Sequence, residues 1–269
     1  MSDTPRTLAV FDYSGTLSRD AARFATLKNL RRALQRSGLA ELGVSEPAVF
    51  WEQIVNPTWR AGSTTSIGYV ELIVERLTEL SGRSSTSIDV DTFRTAGERF
   101  VTSYLEESSL YRRWRPLLGT LLKTRNTVVL VATDHYAEAT PAILDHLRRA
   151  GIAGYRVGAA PTVGDIGVAN SADLGATKSH VDFWRKAVEG CSARNPERVI
   201  LIDDFGCNED VADAYTAEAD RRRDATAAAL AHAVGCDPLV VPFRPRYSSH
   251  EAWDAEIRRA EIVLTGRGD

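Results

Sequence analysis

Cysteine, lysine and long apolar segments are all scarce in this sequence. Its 269 residues include an odd number of cysteines without CxxC spacing, which excludes a disulfide framework and a zinc knuckle: Cys191, Cys207 and Cys236. The longest apolar runs, such as Val128–Ala132, are far shorter than the ~20 residues of a membrane-spanning helix. The segment before Thr7 contains Asp3 and Pro5, and the apolar stretch after it is too short for a signal peptide. We therefore expect a cytoplasmic protein with free thiols and no membrane partner.

Neither sign of charge predominates, because 33 Lys and Arg residues stand against 36 Asp and Glu residues. A net charge of −3 gives no overall field that would attract nucleic acid or an anionic membrane. We therefore expect a small-molecule partner and no nucleic acid. With 43% hydrophobic and 26% charged residues, the chain has the composition of a globular protein, and its length suits one large domain or a core with an insertion. The sequence indicates no particular oligomeric state.

Three short apolar runs predict buried strands: Leu8–Phe11, Thr127–Ala132 and Arg198–Ile202. Continuous apolar runs of this kind are typical of strands covered on both faces in a parallel sheet. Weaker strand candidates are Tyr155–Val157 and Leu239–Phe243. Because helical patterns follow the strands, the sequence predicts an α/β fold with a doubly wound parallel sheet. In such a sheet the ligand lies at the carboxyl ends of the strands.

Roughly 115 residues separate the first two runs, whereas one crossover connection needs only a few tens. This interval therefore predicts an inserted helical unit, residues 18–116, between core segments 1–17 and 117–269. Amphipathic patterns predict helices within it at Ala22–Leu34, Ser66–Leu80 and Asp91–Leu105, with a turn-rich loop at Asn56–Gly62. Two further helices are predicted in the core, at Asp210–Val234 and Ser249–Leu264.

The first apolar run is followed by Asp12-Tyr13-Ser14-Gly15-Thr16, a carboxylate and then a tight glycine turn. The segment resembles motif one of the haloacid dehalogenase superfamily, which usually reads D-x-D-G-T. It also fits a plain turn in which Asp12 caps the next helix. The resemblance implies a hydrolase with a Rossmann-like core and a helical cap inserted after motif one. Backbone N–H groups of such a turn can cradle an anion, so Gly15 and Thr16 are predicted to bind substrate.

Two later segments match the second and third motifs of this family. Thr133 follows the second run, where the family places a Ser or Thr that hydrogen-bonds the transferring phosphoryl group. Lys178 opens the helical pattern that contains Trp184, which suits the motif-three lysine. Only four lysines occur in the chain, so one at this position is informative: Lys28, Lys123, Lys178 and Lys186. Lys186 is the competing assignment, but it lies about two turns into the helix.

The third run ends in two adjacent carboxylates, Asp203 and Asp204. Like charges at the end of a buried strand are costly without a cation, so a divalent metal is indicated. Hard oxygen ligands favour Mg²⁺. The resemblance favours Asp204 as a direct ligand, and the predicted ligands are Asp12, Ser14, Asp203, Asp204 and Asn208. The alternative is a pair of exposed aspartates that cap the following helix.

The resemblance implies a Mg²⁺-dependent phosphatase of a small phosphorylated metabolite, in which Asp12 attacks phosphorus and forms an aspartyl-phosphate. Ser14 departs from the family pattern, which has an aspartate there as general acid and base. A serine hydroxyl cannot fill that role near pH 7, and His135 is the nearest substitute. The departure leaves open a non-catalytic, phosphotransfer or phosphonate-type relative. The paired carboxylates argue against a metal-free dehalogenase, and a phosphonate enzyme would need a cap lysine, for which only Lys28 is available.

The predicted loop Asn56–Gly62 carries two side chains suited to substrate binding. Trp59 could stack on a ring, and the Arg60 guanidinium could hold a second anion. The alternative is that the loop merely connects two helices and that Trp59 lies in the core of the inserted unit.

Overall fold

Parallel strands form the centre of the fold, as the apolar runs predict. The computed structural model describes residues 7–82, 89–159, 164–208, 218–245 and 249–266. Within these ranges one sheet has six strands in the order β3-β4-β2-β1-β5-β6, and every neighbouring pair is parallel. The strands are β1 (Thr7–Phe11), β2 (Thr127–Thr133), β3 (Gly154–Arg156), β4 (Ile166–Asn170), β5 (Arg198–Asp203) and β6 (Leu239–Pro242).

Strand β4 is the one that the sequence analysis did not predict. Small residues such as Gly167 give the segment a weak strand signal. All five of its residues are nevertheless buried, between β2 and β3. A Cβ at Gly167 would lie 3.2 Å from the Tyr155 hydroxyl and 3.3 Å from Leu130 Cδ1, so the glycine leaves room for these neighbours. Tertiary packing thus overrides the local propensity.

Helices cover both faces of the sheet. Alternate residues of β1 point to opposite sides, with Phe11 in a cluster that includes Trp114 and Val10 in a cluster that includes Trp184. The core helices are α7 (Trp114–Lys123), α8 (Ala139–Arg149), α9 (Ser171–Leu174), α10 (Val181–Gly190), α11 (Ala219–Val234) and α12 (His250–Thr265). The predicted helix that starts at Asp210 is seen from Ala219, and positions 209–217 lie outside the described residues. Throughout the described ranges, every helix is too short or too polar to cross a membrane.

Among the described residues, six helices and one π-helical turn lie between β1 and α7. They are α1 (Arg19–Phe24), α2 (Leu27–Ser37), α3 (Pro47–Phe50), the π turn (Trp51–Val55), α4 (Asn56–Gly62), α5 (Tyr69–Ser81) and α6 (Val90–Glu107). Their buried side chains form a separate cluster around Phe100, which we call the cap cluster.

The predicted helix Ala22–Leu34 is divided in the structure into two helices, α1 and α2. Trp114 packs in the sheet cluster, so the predicted boundary at residue 117 falls inside a core helix, and the domain limits stay a prediction.

The segment Asn56–Gly62 is helix α4, so the predicted loop is wrong. Pro57 lies in the first turn of α4, where a missing N–H group is tolerated. The preceding π turn closes with a bond from the Asn56 N–H to the Trp51 carbonyl. A proline at position 57 cannot donate to Gln53, and the Gln53 carbonyl instead accepts a 2.9 Å hydrogen bond from Arg76 Nε. The proline that suggested a loop therefore sits in a continuous helical segment.

Gly62→Ala tests the packing of the cap helices on the core. A Cβ at Gly62 would lie 2.2 Å from Tyr136 Cε1 and 2.7 Å from Leu72 Cδ1, so the variant should lose about 1–3 kcal/mol of unfolding free energy through overpacking. Gly119→Ala is the matched control, because a Cβ there meets nothing within 4 Å, and we expect a gain of up to about 1 kcal/mol from helix propensity. Urea denaturation measures the unfolding free energy of both variants. Equal values for the two variants would contradict this packing of Gly62.

Candidate active site

Three neighbouring strands end at the same edge of the sheet, and each supplies a polar side chain. Asp12 follows β1, Thr133 ends β2 and Asp203 ends β5. Strand β1 lies between the other two, with Phe11 paired to Val131 on one side and to Ile202 on the other. The structure thereby brings the predicted catalytic residues to one cavity, which is lined by Asp12, Ser14, Thr133, His135, Lys178, Asp203 and Asp204.

The ammonium of Lys178 connects two of these carboxylates. Its Nζ lies 2.6 Å from Asp12 Oδ1 and 2.7 Å from Asp203 Oδ2, and all three side chains are buried. The backbone N–H of Lys178 donates to Asp134 Oδ1 at 2.9 Å, and its carbonyl accepts from Trp184 Nε1 at 2.6 Å. These two hydrogen bonds hold the backbone of Lys178 in place.

The competing lysine has a structural contact instead. Lys186 Nζ donates to the carbonyl of Leu174, the last residue of α9, at 2.6 Å. Such a bond satisfies a carbonyl at a helix C-terminus. Lys178 is therefore the lysine of the site.

Three buried carboxylates, Asp12, Asp203 and Asp204, form a potential metal site. Each offers an oxygen such that the three atoms lie within 4.8 Å of one another. Burial raises the pKa of Asp12 well above its usual range; the Lys178 ammonium opposes this rise, and the charges of Asp203 and Asp204 add to it. Three carboxylates against one ammonium leave an excess of negative charge that a divalent cation would balance.

Gly15 and Thr16 hold the turn against Asp204. Gly15 has a φ of 75°, and a Cβ there would lie 2.5 Å from Asp204 Oδ2. Thr16 Oγ1 accepts a 3.1 Å hydrogen bond from the Asp204 N–H, and Asn208 Nδ2 donates to the Gly15 carbonyl at 2.7 Å. Neither Gly15 nor Thr16 lines the cavity. Gly15 and Thr16 thus position Asp204, and their predicted role in substrate binding stays a prediction.

Ser14 lines the same cavity as Asp12. Its Oγ is buried and has no hydrogen-bond partner among the described residues. A buried polar atom without a partner costs about 1–3 kcal/mol, so such atoms in native proteins usually face a water, ion or ligand. The orphaned hydroxyl fits the prediction that Ser14 lies near a metal or substrate.

His135 is held as a neutral side chain, which argues against its predicted role as the proton donor. Its Nδ1 accepts a 2.8 Å hydrogen bond from the Tyr136 N–H, so the ring proton is on Nε2, 2.9 Å from the Tyr104 hydroxyl. Burial lowers the pKa of His135 to about 4. Both nitrogens are engaged, and the imidazole has little tendency to gain a proton near neutral pH.

Aromatic side chains enclose the rest of the cavity, which has a volume of about 500 Å³. The aromatic residues that line it are Phe24, Phe50, Trp51, Trp59, Tyr69, Phe100, Tyr104 and Tyr136. Trp59 is half-buried and lies edge-on to Tyr136, with ring centroids 5.4 Å apart, so it both lines the cavity and packs on the cap cluster. Arg60 is exposed and is not among the residues that line the cavity, so the structure gives no support to its predicted role in anion binding.

The loop after β2 connects the site with the cap helices, which the sequence did not indicate. The Tyr136 ring stacks on Tyr69 with centroids 3.8 Å apart. Glu138 accepts hydrogen bonds from the N–H groups of Tyr69 at 2.9 Å and Val70 at 3.3 Å, at the N-terminus of α5. A carboxylate is favourable there because the helix presents unpaired N–H groups.

Comparison with known proteins shows the fold. No protein-family model and no curated protein matches the sequence. A 2-haloacid dehalogenase from Pseudomonas syringae pv. Tomato DC3000 matches with a TM-score of 0.57 and 14% identity, over 97% of this chain and 99% of that chain. L-2-haloacid dehalogenase from Xanthobacter autotrophicus with chloropropionic acid covalently bound is a weaker match, with a TM-score of 0.47 and 16% identity over 96% of this chain and 82% of that chain. The putative HAD-hydrolase YfnB from Bacillus subtilis bound to magnesium matches with a TM-score of 0.45 and 17% identity, over 75% of this chain and 81% of that chain. The chain has the haloacid dehalogenase fold, as its motifs predict.

His135 predicts a pH dependence of stability. The folded state keeps the imidazole neutral down to about pH 4, whereas the unfolded chain binds a proton near pH 6.5. The unfolding free energy should therefore fall by up to about 3 kcal/mol as the pH drops through this window. His135→Asn, whose amide oxygen can accept the Tyr136 N–H, should lose this part of the pH dependence of the unfolding free energy. His146→Asn should keep it. Identical slopes for wild type and His135→Asn in urea denaturation would show that His135 is not the group responsible.

Proposed function

We propose that this protein is a Mg²⁺-dependent phosphomonoester hydrolase that acts through an aspartyl-phosphate on Asp12. The observation that carries the proposal is the cluster of Asp12, Asp203 and Asp204 around Lys178, all of which line one cavity. A small phosphorylated metabolite is the substrate class that this cluster fits, because its charges can bind and neutralise a phosphoryl group together with a metal ion.

The residues of the cluster fit a divalent cation. They offer carboxylate oxygens, the orphaned Ser14 hydroxyl lies in the same cavity, and the cluster carries more negative than positive charge. Asp12 and Asp204 would hold the ion, with Ser14 and Asn208 beside them, while Asp203 shares its charge with Lys178. When bound, Mg²⁺ supplies positive charge that offsets the charge of the phosphoryl oxygens.

The side chains of Asp12, Lys178 and Thr133 would each carry out one part of the reaction. A carboxylate oxygen of Asp12 forms a bond to phosphorus while the bond from phosphorus to the ester oxygen breaks, and the leaving oxygen takes a proton from water to depart as the alcohol. Lys178 orients Asp12 and adds positive charge, and the buried Thr133 hydroxyl at the end of β2 can donate to a phosphoryl oxygen. Water then attacks phosphorus, and phosphate departs from Asp12. The aromatic side chains that line the cavity would limit the access of other water to the ester.

Cleavage of a carbon–halogen bond is the second candidate, and two observations favour it. A halide leaves without a proton, so Ser14 in place of a carboxylate suits such a reaction, and so do the aromatic side chains that line part of the cavity. The excess of carboxylates around Asp12 weighs against it, since an anionic pocket that needs a cation is unnecessary for halide displacement. The phosphonate-type alternative has no support from Lys28, which is exposed and does not line the cavity.

The first experiment measures phosphate and halide release from substrate panels with and without EDTA. We expect phosphate release that requires the metal and that falls at least 10³-fold in Asp12→Asn, a loss of about 4 kcal/mol in transition-state stabilisation. Asp182→Asn is the matched control, because this exposed aspartate lies on α10, away from the carboxylate cluster, and should keep full activity. Halide release that persists in EDTA would establish the second candidate, and activity retained in Asp12→Asn would remove Asp12 as the nucleophile.

Ser14 predicts slow turnover of the intermediate. Without a carboxylate at this position, activation of water should be slower by about 10²–10⁴-fold. The wild type should therefore show a burst with p-nitrophenyl phosphate, whose leaving group needs no proton, and then a slow steady phase. Ser14→Asp should accelerate the steady phase, and Ser14→Ala should not. No burst, together with ordinary rates on an unactivated alkyl phosphate, would show that another group transfers the proton.

A further inference from the structure

Three consecutive arginines lie near the start of α11, and the structure gives them different neighbours. Successive residues of an α-helix point about 100° apart, so the three side chains cannot share one face. Arg221 is 80% exposed and forms an ion pair with Glu218 at 3.2 Å, and Arg223 forms ion pairs within its own helix at 3.0 and 2.9 Å. Arg222 is half-buried and lines the cavity above Asp12. The central arginine is therefore the one that the fold turns towards the candidate active site.

The Arg222 guanidinium is anchored beside the carboxylate cluster. Its Nη1 donates to the Phe205 carbonyl at 2.6 Å. The Phe205 N–H in turn donates to Asp203 Oδ1 at 2.6 Å, and the other oxygen of Asp203 accepts from Lys178 Nζ at 2.7 Å. Phe205 also follows Asp204 directly in the sequence. Arg222 is thus joined to the cluster through one residue, at the end of the cavity where a phosphoryl group would bind.

Phe205 has an unusual backbone conformation. Its φ of 53° lies in the left-handed region, which is rare for a bulky residue and costs about 1–3 kcal/mol. Such strain persists where the surroundings determine the conformation, and it is concentrated at functional sites. The Phe205 ring is buried in the cluster that includes Trp184, and its carbonyl is held by Arg222. Contacts at both ends of Phe205 therefore give the guanidinium a defined position.

The cavity lining carries more negative than positive charge. Its described charged side chains are five carboxylates and two cations: Asp12, Asp134, Asp203, Asp204, Glu218, Lys178 and Arg222. The Lys178 ammonium is already shared by Asp12 and Asp203. A phosphoryl group would add further negative charge, and an uncompensated charge in a region with little water is costly. Arg222 is the second cation of this lining that could offset the added charge.

The charge of Arg222 also acts on the other side of the proposed nucleophile. Asp134 follows β2, which flanks β1 on the side opposite β5. Burial raises the pKa of Asp134, and the charges of Lys178 and Arg222 oppose this rise. A guanidinium has five N–H donors in a planar fork, so it can hold the Phe205 carbonyl and also donate to two oxygens of one anion.

We propose that Arg222 is a further catalytic residue, whose guanidinium donates hydrogen bonds to the non-bridging oxygens of the phosphoryl group during its transfer to Asp12. The guanidinium stays protonated throughout, so it supplies positive charge without any transfer of a proton. This role places Arg222 at the phosphoryl end of the substrate and not at its organic group. The inference rests on the proposed phosphatase function, because it concerns the group that this reaction transfers.

Calorimetry on the full chain, with Mg²⁺ alone and then with inorganic phosphate in excess Mg²⁺, separates phosphate binding from support of the metal site. Arg222→Gln removes the charge and the fork and keeps a polar side chain. We expect this variant to bind phosphate at least 10-fold more weakly and to bind Mg²⁺ alone no more weakly than the wild type. Arg221→Gln is the matched control, because it removes the same charge from the neighbouring exposed position and should leave both dissociation constants unchanged.

Two further measurements test where Arg222 acts. Methylphosphonate and benzylphosphonate share the phosphoryl oxygens but differ in the organic group, so Arg222→Gln should weaken both by the same factor. Release of p-nitrophenol from p-nitrophenyl phosphate in a single turnover reports transfer to Asp12, and its rate constant should fall at least 10-fold. Arg222→Lys keeps the charge without the fork and should recover only part of this rate. Circular dichroism establishes that each variant is folded.

The outcomes separate this inference from the function on which it rests. Wild-type phosphate affinity and wild-type release rate in Arg222→Gln would overturn the role of Arg222 and leave the phosphatase proposal standing. An equal loss of Mg²⁺ and phosphate binding would make Arg222 a support of the metal site and would also overturn the inference. So would a loss of affinity for benzylphosphonate alone, because Arg222 would then contact the organic group. If the wild type binds neither phosphate nor a phosphonate, the phosphatase proposal fails, and the inference fails with it.

Discussion

A single buried ammonium joins the ends of two neighbouring strands, because Lys178 Nζ bridges Asp12 at 2.6 Å and Asp203 at 2.7 Å. These carboxylates would otherwise repel each other in a region with little water. Removal of one partner from a buried ion pair typically costs about 3–5 kcal/mol, since it leaves an uncompensated charge. The stability of this edge of the sheet and the chemistry proposed for it therefore depend on the same atoms.

The strand order explains why the carboxylates meet where they do. Strand β1 lies between β2 and β5, so the chain that leaves β1 at Asp12 passes directly beside the end of β5. The turn that follows must approach Asp204 so closely that only glycine fits at position 15, and the Thr16 hydroxyl holds the Asp204 N–H. The same turn leads into the cap helices through Ser18, which caps α1. The residue proposed as nucleophile and the entrance to the cap are thus six residues apart at one point of the sheet.

The parts of the fold that could be predicted are those with a local signal. Continuous apolar runs predicted the central strands, and the polar residue after each run predicted Asp12, Thr133 and Asp203 as neighbours, because parallel strands end at one edge. The scarcity of lysine made Lys178 conspicuous. Strand β4 has no such signal, since glycine and alanine enter the sheet only because larger neighbours fill the space around them. The aromatic cavity was equally hidden, because Trp51, Phe100 and Tyr136 come from distant segments and meet only when the cap helices fold over the sheet.

The loop after β2 both positions the site residue Lys178 and contacts the cap helices. Asp134 accepts the N–H of Lys178, and the next residue, His135, contacts Tyr104 of the cap. Tyr136 then stacks on Tyr69, and Glu138 caps α5. Residues 134–138 of one short loop thus orient the buried Lys178 ammonium and contact the cap helices. A movement of the cap would strain the loop that positions Lys178, so the enclosure of the cavity and the alignment of Asp12 are coupled through the covalent chain itself.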